Sequence, residues 1–236
     1  MKPILFNTDM VRATLKDRKT ETRRLVKPIP PENARLELVG DRRHAMDLSI
    51  EIPGPNDRRI YTPPYLLGDI LYVRETWSTK LSNECYAQPC HTGRCPYESC
   101  ESATGPCFPE EYIYKATDNL PSYGGKWHPS IHMPAEAARI FLRVTDLRVE
   151  RLQEITDEGA EHEGICGYYV GMGESAYSRY SNWNEAKNHL YDFPRGAFAD
   201  LWTHTLKPTD IGKYGWAANP WVWVISFKRC EKPEEG

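Results

Sequence analysis

The pattern of apolar and polar positions predicts short strands over much of the chain. Apolar, β-branched and aromatic residues cluster in short runs that are bounded by turn-forming residues, which is typical of strands. The predicted strands cover residues 3–6, 22–26, 70–77, 112–115, 138–151 and 220–228. The segment 138–151 alternates so regularly that it predicts one long bent strand or a pair of strands. The nineteen prolines agree with this pattern, because proline interrupts long helices.

Three short segments carry helix signals, at about 8–16, 156–163 and 195–205. Thr8 or Asp9 can cap the first helix, and Thr156 can cap the second, which Gly164 would end. Several strands with a few helices between them predict an α+β fold. We expect a mixed β-barrel that is closed or nearly closed, with about three short helices.

A single domain is predicted, because the 236 residues show no internal repeat and no low-complexity linker. Polar, turn-rich insertions interrupt the strand pattern at about 32–64, 78–111 and 168–194. The first is expected to contain a weak hairpin, and the other two are expected to be loops. Long loops in a compact domain are often functional or mobile, so these two can form a lid over a site.

Basic residues are concentrated near the N-terminus. The window 12–27 holds seven Lys or Arg residues and two acidic residues, a local charge of +5 in a chain whose net charge is −3. This asymmetry indicates an anionic or nucleotide-like ligand, or else a solvated helix end. The net charge argues against extensive coating of duplex nucleic acid, which needs many phosphate contacts. A site for one nucleoside or for a single strand remains open.

Aromatic and polar residues elsewhere supply candidates for binding a base. Aromatic rings can stack on bases of any sequence, although each ring alone is also a core or rim residue. Arg74 and Glu75 end a predicted strand, where they can meet a base edge, a phosphate or each other's neighbours. The candidate substrate-binding residues are Arg23, Arg24, Arg74, Glu75, Trp77, Tyr114, Trp127, His132 and Trp221.

Four cysteines recur every five residues in the insertion at 78–111, namely Cys85, Cys90, Cys95 and Cys100. This spacing is at the upper edge of the range that structural zinc sites use, so a structural zinc is one interpretation. The alternatives are a reduced loop and disulfides formed in air. No signal-peptide pattern and no run long enough for a membrane span are present, which predicts a cytoplasmic protein without a membrane partner.

The order of motifs resembles the ASCH family of PUA-like β-barrels. A Lys-Thr-x-Thr-x-Arg run follows the first strand and helix, a Gly-Asp-x-Leu-x-Val run follows later, and the last strand is aromatic. The family signature Gly-x-Lys-x-x-x-x-Arg matches at Lys19 and Arg24, but Asp17 stands where the family has Gly. The segments 127–134 and 219–224 also resemble an ASCH branch that is common in phages and prophages.

Two segments are similar to small bacterial N4-acetylcytidine amidohydrolases, whose Lys-Thr-x-Thr run and glutamate match here at residues 19–22 and at Glu163. The resemblance implies a catalytic site of Lys19, Thr22 and Glu163 that acts on an acylated cytosine nucleoside without a catalytic cofactor. Thr22 would attack the acyl carbonyl, Lys19 would be the general base, and Glu163 would orient the lysine or carry its proton.

The spacing of Lys19 and Thr22 leaves their geometry open. Residues three apart share a face in a helix but point to opposite faces in a strand, so only a tight turn would bring them together in a strand. Two other functions therefore stay open. One is a non-catalytic module that binds a modified base or single-stranded RNA, and the other is a ribonuclease.

Overall fold

The computed structural model describes residues 1–30, 35–39, 47–51, 58–80, 111–120, 126–170, 177–181 and 190–233. The four cysteines of the zinc prediction, Cys85, Cys90, Cys95 and Cys100, lie outside these residues. The helices are α1 (Thr8–Leu15), α2 (Asp157–His162), α3 (Pro194–Thr205) and α4 (Ile211–Tyr214). The strands are β1 (Lys2–Leu5), β2 (Glu21–Leu25), β3 (Arg35–Val39), β4 (Asp47–Glu51), β5 (Arg58–Tyr61), β6 (Ile70–Arg74), β7 (Trp77–Lys80), β8 (Glu111–Tyr114), β9 (Phe141–Arg151), β10 (Cys166–Val170), β11 (Tyr177–Ser181) and β12 (Trp221–Cys230).

A five-stranded mixed sheet organises the fold, in the order β1-β6-β9-β12-β2. β1 and β6 are parallel, and the other neighbours are antiparallel. The α+β class is thereby confirmed. Within the described residues no backbone pairing joins β1 to β2, so closure into a barrel stays a prediction. The Arg24 side chain of β2 nevertheless donates to the Leu5 carbonyl of β1 at 2.9 Å, which means that the sheet curls until its end strands are close.

The last strand, β12, separates two hydrophobic clusters because its side chains alternate between the two faces of the sheet. Trp223 and Ile225 face the first cluster, which contains Phe6 of the β1–α1 connection. Val222 and Val224 face the second cluster, which α2 and α3 cover. Both faces of β12 are buried, and this explains why the segment is apolar almost without interruption. Position in the β2–β12 register therefore tells which face each β2 side chain occupies.

Two predicted boundaries are wrong for identifiable reasons. The predicted strand 70–77 is broken at Glu75, whose backbone N–H donates to Met133 Sδ at 3.1 Å instead of continuing the ladder. Trp77 then starts β7, which pairs with β8. The α1 cap is Asn7 rather than Thr8 or Asp9, because the Asn7 side chain accepts from the Met10 N–H at 2.8 Å.

Two insertions contain more regular structure than their polar sequences predict. The described parts of 32–64 form the antiparallel meander β3-β4-β5 instead of a weak hairpin. β10 and β11 pair as an antiparallel hairpin at the start of the region expected to be a loop. Strands that pair through their backbones but have no continuous apolar face give little hydrophobic periodicity in a single sequence. None of the helices in the described segments is long and apolar enough to span a membrane.

Candidate functional site

The turn between α1 and β2 delivers Lys19 to the interior. Asp17 adopts the left-handed conformation with φ of 55°, a region that glycine enters more easily than other residues. Its carboxylate accepts hydrogen bonds from Nε and Nη2 of Arg229, each at 2.8 Å. The N–H groups of Arg18 and Lys19 then both donate to the Ala13 carbonyl, at 2.9 and 3.2 Å, and this fixes where the Lys19 side chain begins.

Lys19 is buried, with 1% of its surface exposed. Its Nζ donates to Glu163 Oε2 at 2.5 Å, to the Glu21 carbonyl at 2.8 Å and to the Glu163 carbonyl at 3.1 Å. It also lies 5.6 Å from the centre of the Phe6 ring. Burial lowers the pKa of Lys19, and the positive charges of Arg24 and Arg23 act in the same direction, while Glu163 opposes them.

Glu163 occupies its place because of the way α2 begins and ends. The Thr156 side chain caps the helix by accepting from the Gly159 N–H at 3.0 Å. At the other end, Gly164 takes a φ of 103°, and the Gly164 and Ile165 N–H groups return to the helix in a Schellman motif. The cap at Thr156 and the end at Gly164 confirm the sequence prediction. Together they leave Glu163 at the C-cap.

The end of α2 lies along the outer edge of β2. The Thr20 N–H donates to the His162 carbonyl at 2.8 Å, while the Thr20 carbonyl accepts from Phe227 of β12 at 2.8 Å. At this edge Glu163 reaches both faces of the strand. Its Oε2 meets Lys19, and its Oε1 lies 3.4 Å from Nη1 of Arg23.

Arg23 is buried on the second-cluster face of β2, opposite Val224, where it belongs to a group of paired charges. Its Nε and Nη2 approach Glu150 Oε1 at 2.9 and 2.8 Å. Beyond it, Arg148 binds both carboxylate oxygens of Glu21 at 3.0 Å. Burial alone would raise the pKa of Glu21, but the hydrogen bonds and charge of Arg148 outweigh that effect and lower it. Sequence reasoning missed Glu150, Arg148 and Glu21 in this role.

Thr22 lies on the opposite face from Arg23, because it pairs with Ile225 of the first cluster. Lys19 Nζ approaches Phe6 of that same cluster, so Thr22 and the lysine lie toward the same side of β2. Thr22 is buried, yet within the described residues no hydrogen bond joins its hydroxyl to Lys19. The structure therefore brings Lys19 and Glu163 together and places Thr22 nearby without the contact that nucleophilic activation requires.

Arg24 shares the Thr22 face of β2, since it pairs with Trp223. Its described hydrogen bond is the one from Nη2 to the Leu5 carbonyl. Among the described residues no carboxylate lies within ion-pair distance of Arg24, in contrast to Arg23. Burial lowers the pKa of Arg24, and Tyr65 and Glu163 partly offset this effect. A guanidinium with spare donors beside Lys19 is suited to an electron-rich or anionic ligand.

The predicted residues Glu75 and Tyr114 belong to a separate cluster around Arg139. Arg139 binds both oxygens of Glu75 at 2.9 and 3.1 Å and stacks 3.9 Å from the centre of the Tyr114 ring. Burial raises the pKa of Glu75 and raises that of Tyr114 to about 12. The Tyr114 hydroxyl donates to the Ala137 carbonyl at 2.7 Å. These contacts join three chain segments and occupy the polar groups of both predicted residues.

The remaining predicted residues have contacts in other parts of the fold. Arg74 donates to the Ile131 carbonyl, and Trp77 lies against His128 with ring centres 5.0 Å apart. Trp221 is covered by the Arg151 guanidinium at 4.3 Å. The other two are Trp127, which is half-buried and precedes the Trp77 partner His128, and His132, which is exposed at the end of a 3-10 helix, Ser130–His132.

Searches for related proteins give no independent assignment of the chain. No protein-family model matches it, and neither curated proteins nor solved structures yield a match. In the part of the chain that the structure describes, no group of three His, Cys, Asp or Glu side chains is arranged to hold a metal ion. The Lys19–Glu163 site and the sequence motifs are therefore the features of the chain that bear on its function.

Proposed function

We propose that the chain is a cytoplasmic amidohydrolase with a PUA-like, ASCH-type barrel, acting on an acylated cytosine nucleoside. Lys19, Thr22 and Glu163 are its catalytic residues. The observation that supports this function best is the buried contact of 2.5 Å between Lys19 Nζ and Glu163 Oε2. The Arg24 side chain that links β2 to β1 supports the barrel, because the two end strands of the sheet must lie close for that contact to form.

The lysine–glutamate pair is suited to move a proton. Burial disfavours the charged form of Lys19, and Glu163 is placed to take the proton that the ammonium releases. Transfer from Nζ to Oε2 leaves a neutral amine beside a neutral carboxylic acid. A neutral amine is a base, so Lys19 in this state can accept the Thr22 hydroxyl proton.

In the proposed reaction, Thr22 Oγ1 forms a bond to the acyl carbon while its proton moves to Lys19 Nζ. Arg24 lies on the same face and can stabilise the oxyanion that develops. The bond from the acyl carbon to the cytosine amino nitrogen then breaks, and Lys19 returns the proton to that nitrogen. Water next attacks the acyl-Thr22 ester and gives one proton to Lys19, and Thr22 recovers its hydroxyl proton as the carboxylic acid leaves.

One observation favours a second candidate function, non-catalytic binding of a modified base or single-stranded RNA. Thr22 and Lys19 are not hydrogen-bonded, and the three donors of the Lys19 ammonium already have acceptors. In this alternative the pair is structural, and Arg24 provides the ligand contact. Catalysis requires Thr22 to turn toward Lys19 when substrate binds, and such contacts are often formed only in the substrate complex.

Release of cytidine from N4-acetylcytidine, followed by chromatography, tests the proposed function. The wild type is compared with Thr22→Ser, which keeps a hydroxyl, and with Thr22→Val, which removes it at similar shape. We expect turnover by the wild type, reduced turnover by Thr22→Ser, and a loss of at least about 100-fold in Thr22→Val and Glu163→Gln. Circular dichroism verifies that each variant is folded.

Two results would contradict the hydrolase. The first is absence of turnover by folded wild-type protein, and the second is equal turnover by Thr22→Val and the wild type. Retained binding of N4-acetylcytidine without turnover, lost in Arg24→Gln, would instead support the binding module.

A further inference from the structure

The charges around Glu163 form an alternating series that extends from the site to the surface. Lys19 contacts Glu163, Glu163 contacts Arg23, and Arg23 contacts Glu150. Glu150 Oε2 then accepts from Nε of Arg148 at 3.4 Å, where the series reaches solvent. Glu163, which is buried, and Glu150, which is partly exposed, each have a cation on both sides, which compensates for the cost of removing these charges from water.

The two cations that hold Glu163 approach it from opposite faces of β2. Lys19 binds Oε2 on the side of the first cluster, and Arg23 lies 3.4 Å from Oε1 on the side of the second. The Arg23 side chain is 1% exposed and lies 5.7 Å from the Phe198 ring, so it has no path to a ligand on the Thr22 face. Arg23 therefore makes contact with the Lys19 site through Glu163, in addition to the effect of its charge on the pKa of Lys19.

Gly159 gives independent support for the fixed position of Arg23. A Cβ added at this α2 residue would lie 3.1 Å from Nη2 of Arg23 and 3.2 Å from Ile155. The helix therefore approaches the guanidinium so closely that only glycine fits without a shift. The Gly159 carbonyl also lies 3.5 Å from Nη1 of Arg23. Both sides of the guanidinium are thus occupied, by α2 and by Glu150 of β9.

We infer that Arg23, anchored by Glu150, is a positioning residue that holds one oxygen of Glu163 and so directs the other oxygen to Lys19. As a role in catalysis this rests on the proposed hydrolase function. Arg23 was expected from sequence to bind substrate, whereas its contacts place it behind the site. The two carboxylate oxygens of Glu163 then have different roles: Oε1 is held by Arg23 and fixes the orientation, and Oε2 exchanges the proton with Lys19.

The protonation of Lys19 should depend on Glu150. Among the described residues, the charged groups that act on Lys19 include Glu163 from α2 and Arg23 and Arg24 from β2, and the carboxylates of Glu150 in β9 and Glu21 in β2 contact Arg23 in turn. Replacing Glu150 with glutamine removes a negative charge and leaves more of the Arg23 charge directed at Glu163, with Glu21 Oε2, 3.7 Å from Arg23 Nη1, as the other carboxylate nearby. Both effects favour the neutral amine, so the pKa of Lys19 should fall.

The test is the titration of Lys19 in protein labelled with ¹³C at lysine Cε, with the resonance assigned by its loss in Lys19→Met. Glu150→Gln is compared with Glu154→Gln, a matched change at a carboxylate that caps the Arg151 N–H outside the series. We expect the Lys19 titration in Glu150→Gln to shift down by about 0.5 to 1 pH unit. The Glu154→Gln titration should coincide with that of the wild type.

Kinetics on N4-acetylcytidine provide the second readout. Arg23→Lys keeps one charge but cannot reach both carboxylates, so its kcat should fall at least about tenfold with KM unchanged. The matched control is Arg151→Lys, because Arg151 stacks on Trp221 away from Glu163.

The two readouts separate this inference from the function on which it rests. A shifted Lys19 titration in an inactive wild type would support the positioning role and contradict the hydrolase. An unshifted titration in Glu150→Gln would overturn the positioning role whatever the activity. Equal kcat values for Arg23→Lys and Arg151→Lys would overturn it as well.

Discussion

Replacing Lys19 with methionine is expected to destabilise the folded state strongly, because methionine keeps the length of the side chain and removes its charge. The substitution leaves Glu163 in a buried position with Arg23, 3.4 Å away, as its remaining described cation. The carbonyl oxygens of Glu21 and Glu163 lose the donor that Lys19 supplies. Each of these groups was taken out of water on folding, so none regains a water partner without local opening.

The magnitude follows from the burial of the pair. Breaking a buried ion pair by removing one partner typically costs about 3–5 kcal/mol. Arg23 continues to neutralise part of the Glu163 charge, so the lower end of this range, about 3 kcal/mol, applies to Lys19→Met. In the double variant Lys19→Met/Glu163→Gln no uncompensated carboxylate remains. We expect a coupling energy of about 2 kcal/mol between the two positions.

Urea unfolding at pH 7, followed by circular dichroism, measures these differences in the free energy of unfolding. The Lys2–Asp69 pair is a matched control, because its charged atoms are 2.7 Å apart but its side chains are 46% and 23% exposed. Exposed pairs contribute at most about 1 kcal/mol, so Lys2→Met should cost little. If Lys19→Met costs no more than Lys2→Met, the claim that the buried pair holds the end of α2 on β2 is wrong.

Three further predictions follow from the same region. The lowered pKa of Lys19 means that the folded state binds fewer protons than the unfolded state between the folded pKa and about 10.4. Wild-type stability should therefore rise with pH through this window, and Lys19→Met should flatten the rise in urea titrations. The stability of Asp17→Gly should stay within about 1 kcal/mol of the wild type, because glycine relieves the left-handed backbone while an exposed contact with Arg229 is lost. Asp17→Ala should lose about 1–2 kcal/mol of stability, and equal thermal stability of the two variants would contradict this. Gly159→Ala should not give the helix stabilisation of about 1 kcal/mol that alanine normally brings, because its Cβ meets Arg23. The control is Gly212→Ala in α4, which has open space around it and should gain stability. A gain in stability at both positions in urea unfolding would refute the crowding at Gly159.

Local signals in the sequence predicted the elements that hold the site. The cap at Thr156 and the glycine at 164 placed Glu163 at the end of a short helix, since both signals depend only on neighbouring backbone groups. Runs of apolar residues predicted β1, β2, β9 and β12 to within a few residues. The break at Glu75 was missed because the contacts that cause it come from Met133 and Arg139, about sixty residues away.

The sequence by itself determined which residues are available to the site, namely a dense basic run at 12–27 and a glutamate at a helix end. It did not determine which of these charges are buried, because the run also has the composition of a solvated helix end. The tertiary structure decided this through register: pairing with β12 sends Thr22 and Arg24 to one face of β2 and Arg23 to the other. Glu150 and Glu163 meet Arg23 from more than a hundred residues away, and contacts at that separation depend on strand order and packing, which local propensity does not specify.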